Sequence, residues 1–167
     1  MKKIFFIYIL TVGLSCSKTK KPPFDLPINA EILLTADSTK TWKLARRFNN
    51  NTRISVGDCF LSYQVTYSSD HTILDNNGEH EDCGDSMSSN WSLYFNDDKY
   101  PYIKLKGGNV QELMHLEKDY KYFKILDLSE EQLVLEFQHK QFSNKTTKLI
   151  NVFVPKDAVV KDRKFHW

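Results

Sequence analysis

Period-two alternation of apolar and polar residues recurs along this chain, in short segments divided by turn residues. In Tyr100 to Lys106, Ile103 and Leu105 oppose Tyr102, Lys104 and Lys106. In Leu133 to His139, Leu133, Leu135 and Phe137 oppose Val134, Glu136 and Gln138. Successive side chains of a strand point to opposite faces, so this pattern marks strands with one face in a core. The same alternation is read from Asp58 to Tyr67, with Leu61, Tyr63, Val65 and Tyr67 on one face. It is read again from His71 to Leu74 and from Asn90 to Phe95. Asn76-Asn77-Gly78 reads as a tight turn, since Asn and Gly accept positive φ. A short strand is expected to lead from it into Cys83.

Further strands are expected at Thr41 to Phe48, Thr52 to Val56, Lys121 to Leu128 and Thr146 to Val154, where Pro155 ends the last. Val110 to Lys118 fits a helix or a strand equally. Ile28 to Ser38 reads as one or two helical turns with Ile32, Leu33 and Ala36 on one face. About eight to ten short strands in meander order would leave sticky edges in a flat sheet, and closure removes them. The expected fold class is therefore all-β: a small antiparallel up-and-down barrel of about eight strands with a short N-terminal helical turn. About eight strands enclose a space that side chains fill or that holds one small ligand.

The N-terminus carries a different signal. Met1-Lys2-Lys3 is positive, and Ile4 to Leu14 is apolar but shorter than the roughly 20 residues a membrane-spanning helix needs. Gly13-Leu14-Ser15-Cys16 follows. This arrangement resembles a bacterial lipoprotein signal, which implies that Cys16 becomes the acylated (palmitate-type) first residue of the mature chain. Several acyl chains hold a protein to a bilayer without any span. The polar, basic, proline-bearing stretch that follows cannot bury enough apolar surface to fold. The expected organisation is a signal peptide at 1–15, a lipidated cysteine and tether at 16–35, a barrel domain at 36–155 and a tail at 156–167. The basic residues after Cys16 favour the periplasmic face of an outer membrane over the cell surface.

Without Lys2 and Lys3 the basic and acidic side chains balance. A nucleic-acid binder would show a concentrated positive face, so no nucleic-acid partner is expected. With Cys16 assigned to lipid, Cys59 and Cys83 remain. In an oxidising compartment the simplest reading is a disulfide, which would close a loop of about 25 residues and contribute roughly 3–4 kcal/mol. A metal site with His80, Glu81, Asp82 and Asp85 nearby is the alternative, and free thiols are a third.

The chain resembles the lipocalin-like lipoproteins of Bacteroidetes in four places. These are Thr41-Trp42-Lys43-Leu44 entering the first strand, Cys59 with Asn77-Gly78 and Cys83, Asn90-Trp91-Ser92-Leu93, and Phe123-Lys124-Ile125 leading to Leu133-Val134-Leu135. Lys40 stands where true lipocalins carry a glycine two residues before the tryptophan. The resemblance implies a small β-barrel on a lipid tether.

The expected function is binding of a small apolar or amphipathic ligand in the open end of the barrel. Its candidate contacts are Trp42, Arg46, Tyr63, Tyr67 and Trp91. Core packing is the plainer role for Trp42 and Trp91, since large aromatics dominate cores. Of Arg46 and Arg47, one is expected to point outward and the other to pair with a carboxylate. The alternative function is a structural or protein-interaction module of the cell envelope with a filled barrel. No catalytic residues, cofactor or metal are expected. No two histidines stand at i, i+2 or i, i+4, and no G-x-S-x-G frames a nucleophile. The chain is read as a non-enzymatic monomer.

Overall fold

A computed structural model describes residues 24–164 except 56 and 141–144. The strands are β1 (Thr39–Asn49), β2 (Thr52–Ile54), β3 (Gln64–Ser68), β4 (Thr72–Asp75), β5 (Ser88–Phe95), β6 (Pro101–Lys106), β7 (Tyr120–Leu128), β8 (Leu133–Lys140) and β9 (Thr146–Pro155). All pairings are antiparallel in the order β2-β1-β3-β4-β5-β6-β7-β8-β9, and β1 also pairs with β9. The sheet therefore closes on itself. β1 is long enough to serve three partners. Its first half pairs with β3, from Thr39↔Ser68 to Lys43↔Gln64, and its last residues pair with β2, from Arg47↔Ile54 to Asn49↔Thr52. Its other edge runs along β9 from Trp42↔Pro155 to Asn49↔Leu149. β2 is thus an extra strand on an eight-stranded up-and-down barrel.

The inward face follows the alternation. Val65 and Tyr67, Ile73, Trp91, Ile103 and Leu105, Phe123 and Ile125, Leu133 and Leu135, and Phe153 form one buried cluster with Trp42 and Leu44. At about 25 cal/mol per Å² of apolar surface, this cluster is the main stabilising term. One end is closed by α1 (Ala30–Thr35), which buries Ala30, Leu34 and Thr35. Ile32 lies 49 % exposed and Ala36 is exposed, so of the expected face Leu33 packs against the core, beside the buried Ala30 and Leu34. The Trp42 indole N–H donates to the Leu34 carbonyl at 3.1 Å. Lys40 adds a second tie: its ammonium donates to the carbonyls of Leu33 and Glu130, each at 3.1 Å, and stands 4.0 Å over the Trp42 ring. Residues 24–35, counted with the tether on sequence grounds, therefore begin the folded unit, with Phe24 and Leu26 packed against the core.

The opposite end carries the longer connections. Asp58–Ser62 is a helix, α2, and not the start of a strand. Gly57 accepts hydrogen bonds from the Phe60 and Leu61 N–H groups, and the Ser62 hydroxyl bonds back to the Asp58 and Cys59 carbonyls. These local bonds satisfy the backbone where the alternating pattern suggested a ladder. The Asn76 side chain then sets where β3 begins, accepting from Gln64 N–H at 2.7 Å and donating to the Ser62 carbonyl at 3.1 Å. Asn77–Glu79 forms a 3₁₀ turn within a long β4–β5 connection, so a turn does form at Asn76-Asn77-Gly78, but the short strand expected to lead from it into Cys83 does not exist. Cys59 and Cys83 are joined by a disulfide that pins α2 to this connection. The β6–β7 connection holds the single turn α3 (Val110–Leu113), whose Val110 is fully buried in the core. Gly108, at φ +60°, permits the approach, since a Cβ there would overlap the Ser88 carbonyl. After β9 the chain crosses the outside of β1, where the Arg163 Nε donates to the Leu44 carbonyl at 2.8 Å. No helix among the described residues is long and apolar enough to cross a membrane.

Candidate functional site

The residues expected to contact a ligand separate into three groups. Trp42, Tyr67 and Trp91 pack together in the closed half of the barrel, with the tryptophans 0 % and 2 % exposed. The Trp91 indole N–H donates to the Ser68 carbonyl at 3.1 Å, and its ring meets Tyr67 edge-on at 5.8 Å. Burial drives the Tyr67 hydroxyl far above its ordinary titration range. These three side chains fill the barrel axis.

Tyr63 lies one layer higher, 6.3 Å from Phe153. Its hydroxyl is pushed well up, first by burial and then by the neighbouring Asp75 carboxylate. Asp75 is buried, and burial raises its own carboxyl. One of its oxygens accepts from Met87 N–H at 3.0 Å and from Asn77 N–H at 3.1 Å. Its first role is therefore to hold the β4–β5 connection against the barrel.

Arg46 points away from the interior, and Arg47 replaces it there. A bulge falls between Leu44 and Arg46 opposite Phe153 and Val152. One extra residue, the buried Ala45, reverses the alternation, so Trp42 and Leu44 are followed on the inner face by Arg47 and Asn49. Arg47 does not meet a carboxylate. Its Nε donates to Asn151 Oδ1 at 2.8 Å, and its guanidinium stacks 4.1 Å over the Phe60 ring. Burial lowers its pKa to about 10, which leaves it charged at neutral pH.

The barrel wall parts between β7 and β8. β7 pairs with β6 up to Lys106↔Tyr120, and β8 pairs with β9 up to Lys140↔Thr146. Between β7 and β8, however, the ladder runs only from Leu128↔Leu133 to Lys124↔Glu136. A bulge between Ile125 and Asp127 bends β7 just before the parting, as bulges do by adding local twist. Beyond Lys124 and Glu136 the two strands diverge. The Lys121 ammonium bridges the gap instead, donating to the Gln138 carbonyl at 2.6 Å.

The opening is a cleft of about 530 Å³. Because it lies in the wall, residues of both faces line it. Lys121 and Phe137 come from the inner face and Tyr122 and Lys124 from the outer, while Leu116 closes it from the β6–β7 connection. Phe137 packs on Phe123 at 5.0 Å and gives the cleft an apolar floor continuous with the core. Outside the cleft runs a ladder of tyrosines and lysines. Tyr122 lies 5.0 Å from Tyr94 and 6.0 Å from Tyr102, and the Lys124 ammonium stands 3.4 Å over Tyr100.

The alternation itself contained a sign of this site. Lys121 and His139 occupy inward positions in register with Phe123 and Phe137, and charged residues on an inner face need a reason. At the rim, burial and then the positive charges of Lys121 and Arg47 hold the His139 imidazole below its ordinary pKa. The Lys121 ammonium is also lowered by burial. The disulfide removes Cys59 and Cys83 as metal ligands. Among the described residues no three His, Cys, Asp or Glu side chains gather to hold a metal ion. Cys16 lies outside the described residues.

No family model and no curated protein matches the sequence. Among solved structures, a lipocalin-like protein from Bacteroides uniformis is 16 % identical, with 73 % of this chain and 97 % of that one covered and a TM-score of 0.46. Bovine odorant binding protein, in complex with a selenium-containing odorant, is 13 % identical, with 86 % and 80 % covered and a TM-score of 0.37. The closed up-and-down order of eight strands, with a short helix across one end and the long connections at the other, is a lipocalin-like fold.

Proposed function

We propose that this chain is a non-catalytic binding module of the cell envelope, anchored by lipid on Cys16, that holds one small amphipathic ligand in the cleft between β7 and β8. The cleft carries the reading. Its volume of about 530 Å³ falls within the roughly 300–1,000 Å³ of small-molecule sites. It combines an apolar floor of Phe137 and Leu116 with a few polar groups that can fix orientation. The filled axis, closed by Trp42 and Trp91, supports a site in the parted wall rather than along the barrel centre. The described chain begins at Phe24, just before α1 at the closed end, and the cleft lies toward the other end.

The test uses the chain from residue 16 carrying Cys16→Ser, so that no acyl chain competes. Titration with the neutral fluorescent probe N-phenyl-1-naphthylamine is expected to show one saturable site. Leu116→Trp, which fills the cleft, is expected to abolish binding. Saturable binding that survives Leu116→Trp places the site elsewhere.

A second reading has its own observation. The outer ladder of Tyr94, Tyr102 and Tyr122 with Lys104 and Lys124 offers aromatic and cationic groups to a macromolecular partner. A chain that binds no probe, yet is captured through this face, would be an interaction module with a filled barrel.

A further inference from the structure

The inner face beside the cleft carries two cations, Arg47 and Lys121, and the imidazole of His139, while the carboxylates that line the cleft, Glu117 and Glu136, come from the β6–β7 connection and the outer face of β8. The rows of the sheet show how they stand. Leu135, Asn151 and Arg47 are cross-strand neighbours on β8, β9 and β1. Phe137, Leu149 and Asn49 form the next row toward the open end, and His139 and Thr147 the row after that. Lys121 reaches into the same quarter from β7 by its bond to the Gln138 carbonyl, between Phe137 and His139.

Every Asp and Glu of the sequence lies among the described residues. Among them, Asp119 pairs with Lys106, and Glu136, which lines the cleft from the outer face of β8, pairs with Lys148. The inward carboxylate, Asp75, lies on β4, two strands from Arg47 with Tyr63 beside it, and accepts from the Met87 and Asn77 N–H groups. The Arg47 guanidinium has an amide and an aromatic ring for partners, and Lys121 has a carbonyl. In the same quarter the Asn49 Oδ1 is buried with no hydrogen-bond partner among the described residues. Desolvated cations without a counter-charge are costly to keep. Here Lys121 lines the apolar-floored cleft, and Arg47 and His139 stand near enough to it for their charges to bear on one another.

We propose that Lys121, His139 and Arg47 form the headgroup site for the cleft's ligand, which is an amphiphile carrying one anionic group. The anion sits between the Lys121 ammonium and the His139 ring, with the Arg47 charge behind them. The apolar body lies outward along Phe137, Leu116 and Tyr122. This rests on the cleft being the binding site. It adds the ligand's charge and orientation, and it assigns a role to Arg47, the arginine that the bulge at Ala45 turns inward.

Two probes with the same ring system separate this proposal from the cleft reading. N-phenyl-1-naphthylamine is neutral, and 8-anilino-1-naphthalenesulfonate adds one sulfonate. Both are titrated at low salt into the chain from residue 16 with Cys16→Ser. The sulfonate probe is expected to bind about tenfold more tightly than the neutral one, and only its affinity should fall with added salt. Lys121→Met should remove most of that advantage and leave the neutral probe within about twofold, and Lys121→Arg should restore it. A Lys104→Met variant on the outer ladder should leave both probes unchanged.

Equal affinities for the two probes, or equal losses in Lys121→Met, overturn the headgroup site and leave the cleft standing. Absence of saturable binding by either probe overturns both. Displacement of the sulfonate probe by decanoate supports a free amphiphile as the source of the anion. Displacement by phosphatidylglycerol vesicles supports a membrane lipid, and displacement by neither overturns the proposal.

Discussion

The two sides of this barrel obey the same alternation and end in opposite states. On the side of β1, β3, β4 and β5 the inward positions carry Trp42, Val65, Tyr67, Ile73 and Trp91, and α1 covers their end. Each buried indole N–H there finds a backbone carbonyl, and the interior is filled. On the side of β7 and β8 the same inward positions run from Ile125 and Leu135 through Phe123 and Phe137 to Lys121 and His139. The ladder between the strands stops where the charged residues begin. Polarity on the inner face therefore coincides with the place where the ladder between two strands ends. Apolar completion closes one wall, and an ammonium group takes the place of ladder bonds in the other.

Substitutions should separate the two sides by what they damage. The largest effect is expected for Trp42→Ala, which removes a fully buried ring and leaves the Leu34 carbonyl unpaired. Such a loss costs about 3–5 kcal/mol, read as a lower urea midpoint. A change under about 1 kcal/mol would mean that the closed side is not the stability core. Replacing Cys59 and Cys83 together by serine is expected to cost about 3 kcal/mol, through the freedom regained by the unfolded loop. Neutral-probe affinity should stay within about twofold, because distant sites act independently. Loss of that binding would show that the α2 end and the cleft are coupled.

Asp75→Ala comes next at about 1–3 kcal/mol, since it strands the Met87 and Asn77 N–H groups at a buried site. A hydrogen-exchange experiment should show those two amides losing protection before the amides of β4. Lys121→Met is the opposite case. Its stability should change by less than about 1 kcal/mol, because one side-chain bond is exchanged for apolar contact. Its signature should be in anionic-probe affinity alone.

The smallest effect concerns His139. Burial, then Lys121 and Arg47, hold its folded-state pKa below the ordinary 6.5. As pH falls through 6.5 the unfolded chain takes up this proton before the folded one, so this histidine's contribution turns against folding in that window. Above it the group is neutral in both states and contributes nothing. Urea unfolding at pH 7.5 and 5.5 (settings chosen to bracket the ordinary imidazole range) should show a smaller acid loss in His139→Gln than in the unaltered chain. An identical loss in both would show that Lys121 and Arg47 do not act on His139.

Much of the barrel was legible in the residues. β6 and β8 carry their inward residues where the alternation put them, and so does β3 from Val65 onward. The meander order and closure follow from strand number and edge avoidance. Three features were hidden, each for a physical reason. Cys59 to Ser62 alternates like a strand, but Gly57 and the Ser62 hydroxyl give its backbone a local set of bonds, which periodicity does not register. The inward arginine was misassigned because a bulge adds a residue without changing composition. Counting by twos from Trp42 reaches Arg46, while the fold delivers Arg47. The cleft was invisible because alternation reports the face of each side chain and says nothing about whether two ladders stay together. What could be read was the oddity of Lys121 and His139 on an inner face.

The seam between β1 and β9 sets a schedule for assembly. β3 pairs with β1, and each strand from β4 to β9 pairs with the one made just before it, so most of the sheet can zip as the chain emerges. β1 alone must wait for the final strand, because its second edge belongs to β9. Until then the structure is an open, curved ribbon with bare polar groups along β1 and β8 and an apolar inner face, which is the kind of surface that pairs with other chains. The late docking of β9 therefore both completes the core and ends the interval in which the molecule can aggregate. A shortening of the chain before Pro155 would be expected to prolong that interval far more than a shortening at the other end of similar size.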